Sequence, residues 1–141
     1  LQTRKSGARI DVQLPSPTLR VHADRTMIEQ VLLNLTRNGL QAMESEATPA
    51  AQRLLTLSVA TAGDGKVVFT IRDQGPGIAP EVAERLFTPF FTTRADGMGL
   101  GLSLCRTVIE QHGGELRWEN TRPHGTAFSF TLPAVTENRS P

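Results

Sequence analysis

Three groups of residues in this sequence have types and spacings that could do chemistry. The first, Asp73-Gln74-Gly75-Pro76-Gly77, follows a β-branched and apolar run. An aspartate at a strand mouth can accept a hydrogen bond from an exocyclic amine, and glycines just beyond it let a flat ring lie against the backbone. Adenine suits that geometry, although a tight turn after a strand has the same composition. The second group, Gly97-Met98-Gly99-Leu100-Gly101-Leu102, leads into an amphipathic run. Unsatisfied N–H groups and the positive end of the dipole at a helix start favour phosphate there. The spacing is neither the dinucleotide fingerprint nor a Walker loop, and alone it is equally a flexible helix entry. The third is Asn34 and Asn38, four residues apart on one helix face. Two amides beside an apolar stripe need partners, and a hydrated divalent cation bridging to phosphates would supply them. A solvated polar stripe is the plainer alternative.

The elements that must position these groups follow from periodicity. Ala8 to Leu14 alternates at Ala8, Ile10, Val12 and Leu14, the pattern of a half-buried strand ended by Pro15 and Pro17. After an extended piece, Leu19 to His22, Asp24 is a good N-cap for a helix to about Glu46, with Ile28, Val31, Leu32, Leu35, Ala42 and Met43 inward. Asn38-Gly39 is a hairpin signal elsewhere, but the flanking period of 3.6 excludes that here. Leu54 to Ala62, Gly63-Asp64-Gly65 and Lys66 to Asp73 form a hairpin. Glu81 to Phe87, introduced by Pro80, is a short helix, and Phe87 to Thr93 an aperiodic loop. Gly97, Gly99 and Gly101 precede a helix through Leu104, Val108 and Ile109, stopped at Gly113-Gly114. Strands Glu115 to Glu119 and Thr126 to Leu132 close the chain. This order predicts an α+β fold, a two-layer sandwich with helices on one face of a mixed sheet. One domain is expected over residues 1–133, with a frayed tail over 134–141.

Composition narrows the function classes. The chain has 141 residues, 38% hydrophobic and 21% charged, and no apolar run long enough to span a bilayer. A net charge of +1 provides no broad basic field for nucleic acid. A single cysteine, Cys105, excludes an intrachain disulfide and a multi-Cys zinc site, and points to a reducing, cytoplasmic setting. Cys105 itself suits a small buried position, and Trp118 strand packing. The opening at Leu1 suggests a piece of something longer.

In this order the three groups resemble the ATP-binding catalytic domain of bacterial sensor histidine kinases, in the superfamily that includes DNA gyrase, HSP90 and MutL. Its asparagine box matches Gln30 to Gly39; its first glycine box Asp73 to Gly77; its phenylalanine box Leu86 to Thr93; its second glycine box Gly97 to Leu102; and a final pair Gly125-Thr126. The run PFFTTRADGMGLGLSL is similar to oxygen-sensing, dicarboxylate-sensing and nitrogen-regulatory kinases. The resemblance implies a Bergerat-type ATP-binding fold and the following roles. Asp73 bonds the adenine amine, Gly77 makes room for the ring, and Thr126 supports that end of the pocket. Asn38 coordinates Mg²⁺ on the triphosphate with Asn34 beside it, and the backbone of Gly99, Leu100 and Gly101 holds phosphates. Gly75, Ile78, Phe91, Gly97 and Leu102 belong to the same ATP-binding set. Residues 78–98 form a mobile lid, carrying Arg94 as a phosphate contact. Phe87, Phe90 and Phe91, three aromatics in an aperiodic stretch, read as a loop that docks when nucleotide or the helical domain is present, with plain core packing as the alternative.

Two departures matter. Hydrolysing relatives carry a glutamate one turn before the magnesium asparagine, where this chain has Asn34, and an amide is a poor base. Glu29, five and nine residues before the two asparagines, is offset by about 140° and 180° and points elsewhere. The γ-phosphate is thereby kept for another acceptor. Gln41 stands where many such kinases have a lysine, so phosphate affinity is lower or Arg37 or Arg94 compensates. His22, His112 and His124 lack a phosphoacceptor's helical context and read as structural or solvated, with His124 a possible neighbour of the ligand. The resemblance therefore implies a protein histidine kinase part whose acceptor histidine lies on a separate helical dimerisation domain of a homodimer, with relay to a response regulator receiver domain. No catalytic residue is assigned within the chain, and no direct membrane contact is expected of it, even if the parent is membrane-anchored. The alternatives are a nucleotide-sensing module without phosphotransfer and a serine-directed kinase of the same superfamily.

Overall fold

The computed structural model describes residues 7–14, 19–44, 48–88 and 99–135. Helix α1 (Arg25–Ala42) starts where expected, the Asp24 carboxylate accepting the Met27 N–H at 3.0 Å. It ends at Ala42, and the remainder of the run expected to continue to Glu46 lies in part outside the described residues. Ile28, Val31 and Leu35 are buried on its inner face, each contributing about 1.5–3 kcal/mol relative to exposure.

Strands β1 (Arg9–Gln13), β2 (Leu54–Ala62), β3 (Lys66–Arg72), β4 (Leu116–Asn120) and β5 (Thr126–Pro133) form one sheet in the order β1-β2-β3-β5-β4. The β1–β2 pair is parallel and the others are antiparallel, so the sheet is mixed. β5 shows why the pattern folds this way: Thr126, Phe128, Phe130 and Leu132 are buried, while the residues between them are half-buried on the other face. Phe130 stacks on Phe69 of β3 with ring centroids 4.8 Å apart. The opposite face carries Ser58, Thr70, Ser129 and Arg117 in one register row.

Helix α1 packs on β2 and β3, and α3 (Gly99–Gln111) packs beside it on β4 and β5. Both helices share one core with the sheet, which makes the two-layer α+β sandwich. The far ends of the two helices are stitched together by His112. Its Nε2 accepts the Asp24 N–H at 3.0 Å, so the proton sits on Nδ1 and is donated to the Val108 carbonyl at 2.8 Å. α3 then stops as expected: Gly113 and Gly114 donate to the carbonyls of Glu110 and Ile109, both at 3.0 Å, in a Schellman arrangement.

Four expectations change. In the first strand, Ala8 is buried and Ile10 packs against the core, but Val12 and Leu14 are 54% and 71% exposed as this edge strand runs on beyond the core. α3 begins at Gly99, so Gly99 and Gly101 lie inside the helix and do not precede it. The short helix α2 covers only Pro80–Ala83, with turns from Glu84 to Phe87. Finally, Ala134 and Val135 are bonded to Gly65 and Arg20, both at 2.9 Å, while residues 136–141 lie outside the described residues.

Candidate functional site

The site grows from the place where α1 crosses the end of β3. A Cβ on Gly39 would stand 2.5 Å from Leu55 Cδ1 and 3.5 Å from Asp73 Cβ. A side chain here would have to displace the Leu55 methyl, and the close approach sets Asp73 directly beside the turn that carries Asn38. Asp73 is 4% exposed. Its N–H donates to the Thr126 carbonyl at 2.9 Å, and its Oδ1 accepts the Gly75 N–H at 2.8 Å. Burial pushes its carboxyl up to about 6, against the opposing pull of the Gly75 and Thr126 N–H groups and of nearby His124.

The first glycine box is fastened on three sides. Towards α1, a Cβ on Gly75 would lie 2.8 Å from the Ala42 carbonyl oxygen, and the Gln74 N–H donates to Met43 Sδ at 3.3 Å. Towards β5, Gly125 has a φ of +116°, and any Cβ there would overlap the Asp73 carbonyl. Towards β4, Asn120 takes Ile78 in both directions: its Oδ1 accepts the Ile78 N–H at 2.8 Å and its Nδ2 donates to the Ile78 carbonyl at 3.0 Å. Gly77 sits under this clamp with a φ of +92°.

One turn of α1 further back, Asn34 faces α3. A Cβ on Gly101 would make ordinary contact with its amide at 3.8 Å, and the amide N–H donates to the Cys105 sulfur. Burial raises that thiol to about 11, so Cys105 is an inert packed residue, with Asn34's bond opposing the rise. The two asparagines are about 6 Å apart along the helix axis: Asn34 lies against the first turn of α3, and Asn38, half-buried, immediately precedes the Gly39 that meets Asp73.

Asp73, Gly75, Gly77, Ile78 and Thr126 surround one end of this strip, and Asn34, Gly99, Leu100, Gly101 and Leu102 belong to the other. Thr126 is buried and Leu102 packs against the core. Phe91, Arg94 and Gly97 lie outside the described residues, as do residues 89–98 of the segment expected to form a lid. Of the phenylalanine box, Phe87 is described: it packs against the core, with the Arg106 guanidinium 5.1 Å from its ring centroid. Glu29 points away, paired with Arg25 at 3.1 Å in solvent. His22 is exposed, and His112 is structural as expected.

Sequence reasoning missed Asn120 and gave His124 only as a possible neighbour. Asn120 at the end of β4 and His124 in the β4–β5 connection both reach the segment of the first glycine box, His124 Nδ1 lying 3.0 Å from the Gln74 carbonyl oxygen. Nothing local marks either residue, since the partners are 42 and 50 positions away in sequence. Among the described residues no group of three or more His, Cys, Asp or Glu side chains could hold a metal ion, and no helix is long and apolar enough to cross a membrane.

Residues 23–136 match the family described as histidine kinase-, DNA gyrase B-, and HSP90-like ATPase. The chain is 43% identical over 131 residues to the sensor protein TdiS of Thauera aromatica, covering 92% of this chain and 23% of that protein. It is 45% identical over 133 residues to the C4-dicarboxylate transport sensor protein DctS of Rhodobacter capsulatus, covering 94% of this chain and 19% of that protein. It therefore spans about a fifth of the length of these curated relatives. Among solved structures, the nucleotide-free catalytic domain of the histidine kinase ThkA superposes with a TM-score of 0.79 at 37% identity, over 94% of this chain and 82% of that one. ThkA in complex with the response regulator protein TrrA superposes at 0.75 and 36% identity, over 98% of this chain and 37% of that one.

Proposed function

Because the chain belongs to the family of histidine kinase-, DNA gyrase B-, and HSP90-like ATPases, we propose that it is the part of a sensor kinase that holds Mg-ATP and presents its γ-phosphate to a histidine on a separate helical dimerisation domain. The phosphate then passes to an aspartate of a response regulator receiver domain.

The observation that carries this reading is the continuous strip from the first turn of α3, through Asn34 and Asn38, to Asp73. Its chemistry runs in the order a nucleoside triphosphate needs: a helix start, where N–H groups favour phosphate, at one end, amides in the middle, and a buried carboxylate acceptor at the other. Asp73 accepts the adenine amine, with the ring lying over Gly75 and Gly77. Thr126 buttresses that end, and Ile78 borders it. The backbone of Gly99, Leu100 and Gly101 meets the phosphates, with Leu102 anchoring the helix that carries them. Phe91, Arg94 and Gly97 complete the proposed ATP-binding set, Arg94 as a phosphate contact.

A Mg²⁺ ion fits the donor set, because it takes most of its ligands from water and phosphate and needs few from protein. Asn38 offers one amide oxygen. Asn34, one turn back on the same helix face, is the second candidate. When bound, the ion neutralises charge on the triphosphate. Neither candidate position supplies a general base for water: Asn34 occupies the position of the hydrolytic glutamate, and Glu29 is turned to solvent. The domain so built protects ATP from hydrolysis and leaves transfer to the acceptor domain.

The test is radiolabelled ATP given to the full-length kinase that contains this segment. Acid-labile phosphohistidine, lost on Asn38→Ala and on Asp73→Asn, is the expected product. An acid-stable phosphoprotein would point to a serine acceptor, and no label on protein, with intact ATP binding, to a nucleotide-sensing module; either outcome overturns the proposal.

A further inference from the structure

We propose that His124 is a positioning residue for adenine recognition: through the Gln74 peptide it holds Asp73 in the orientation that accepts the exocyclic amine. This rests on the reading of Asp73 as the adenine acceptor.

The Gln74 carbonyl can only accept, so the 3.0 Å contact requires the Nδ1 proton of His124 to be donated to it. The same peptide unit is bounded on its other side by Gly75, whose N–H bonds Asp73 Oδ1 at 2.8 Å. Fixing the carbonyl of Gln74 therefore fixes the direction of the N–H that orients the carboxylate. The loop that carries the ring is itself closed by hydrogen bonds. Thr121 Oγ1 donates to the His124 carbonyl at 2.9 Å, and the Thr121 N–H donates to the Gly125 carbonyl at 2.9 Å, closing the loop behind it. Gly125 then presses on the Asp73 carbonyl, and Asp73 N–H donates to Thr126. A ring half-buried in such a loop, reaching 50 residues back in sequence to a single carbonyl beside the acceptor, has a geometric task at this end of the pocket. Its proximity also favours the ionised carboxylate, the form that accepts an amine best.

The experiment titrates this chain by calorimetry with ATP and with inosine 5′-triphosphate, in which a carbonyl replaces the amine. Wild type, His124→Ala and His124→Asn are compared, with thermal unfolding of each measured alongside. Asn is the diagnostic variant because its Nδ2 can donate from nearly the place of the imidazole Nδ1. The expected result is a loss of ATP affinity of roughly three- to tenfold in His124→Ala, the scale of one neutral hydrogen bond. Inosine triphosphate affinity stays unchanged, and His124→Asn restores the preference for ATP. A His124→Ala protein that discriminates between the two nucleotides as wild type does would overturn the role of His124 while leaving Asp73 in place. So would an Asn variant as defective as the Ala variant. If wild type itself bound both nucleotides alike, the adenine assignment of Asp73 would fall first, and this inference with it.

Discussion

Replacing Asp73 by Asn should make the empty domain more stable while making it a worse nucleotide binder. Burial raises the Asp73 carboxyl from 3.8 to about 6, so the ionised side chain is held at neutral pH against its environment. Two units at about 1.36 kcal/mol each put the penalty at up to about 3 kcal/mol. Asn keeps an oxygen to accept the Gly75 N–H but turns a donor towards Thr126, returning about 1 kcal/mol of that gain. The expected net stabilisation at pH 7 to 8 is on the order of 1–2 kcal/mol. The sign with pH follows from the raised folded value. The penalty is complete above about 6, shrinks as pH falls, and vanishes below 3.8, where both states are protonated. Urea unfolding of the two proteins should therefore show a midpoint advantage for Asp73→Asn at pH 7.5 that is lost towards pH 4. Calorimetry at pH 7.5 should show ATP binding weakened in the variant, a charge-assisted bond of about 1.5–3 kcal/mol being lost. In wild type near pH 6, ATP binding should release protons, because the amine selects the carboxylate. A variant that is equally destabilised at both pH values, or one that binds ATP as wild type does, would refute the reasoning.

Other perturbations follow from the same geometry. Asn38→Ala should remove most of the Mg²⁺-dependent part of ATP affinity and leave the Mg²⁺-free part nearly intact, checked by titrations with and without a chelator. Asn120→Ala loses both bonds to Ile78 and frees the backbone after Gly77, so amide exchange at residues 77–79 should quicken well beyond that of the β3 amides. His112→Ala unties the end of α3 from the start of α1 and should lower stability by about 1–2 kcal/mol in urea, with nucleotide affinity unchanged. Gly125→Ala forces a Cβ into the Asp73 carbonyl at a left-handed φ, and should cost more than about 3 kcal/mol, seen as loss of a cooperative unfolding transition.

What the sequence carried openly was whatever repeats with a period or punctuates the chain. The Asp24 cap, the inner face of α1, the Gly63 to Gly65 turn and the Gly113-Gly114 stop are all local, and each is found where its pattern predicted. The first strand was half legible, because alternation says which side chains share a face but not whether a helix covers that face; Val12 and Leu14 show the difference. The start of α3 was misread for a related reason. Glycine weakens a helix only as far as the backbone lacks other support, and Gly101 is packed against Asn34. The three chemical groups were readable because each motif is contiguous, yet what joins them is not. Gly39 matters through Leu55 and Asp73, Asn34 through Gly101 and Cys105, and the first glycine box through Asn120 and His124. Those partners stand where the sheet order β3-β5-β4 brings the β4–β5 connection beside the end of β3. A residue such as Asn120 acquires its task only from that topology, so the groups that hold a site in shape stay hidden in a sequence long after the groups that touch the ligand have become legible.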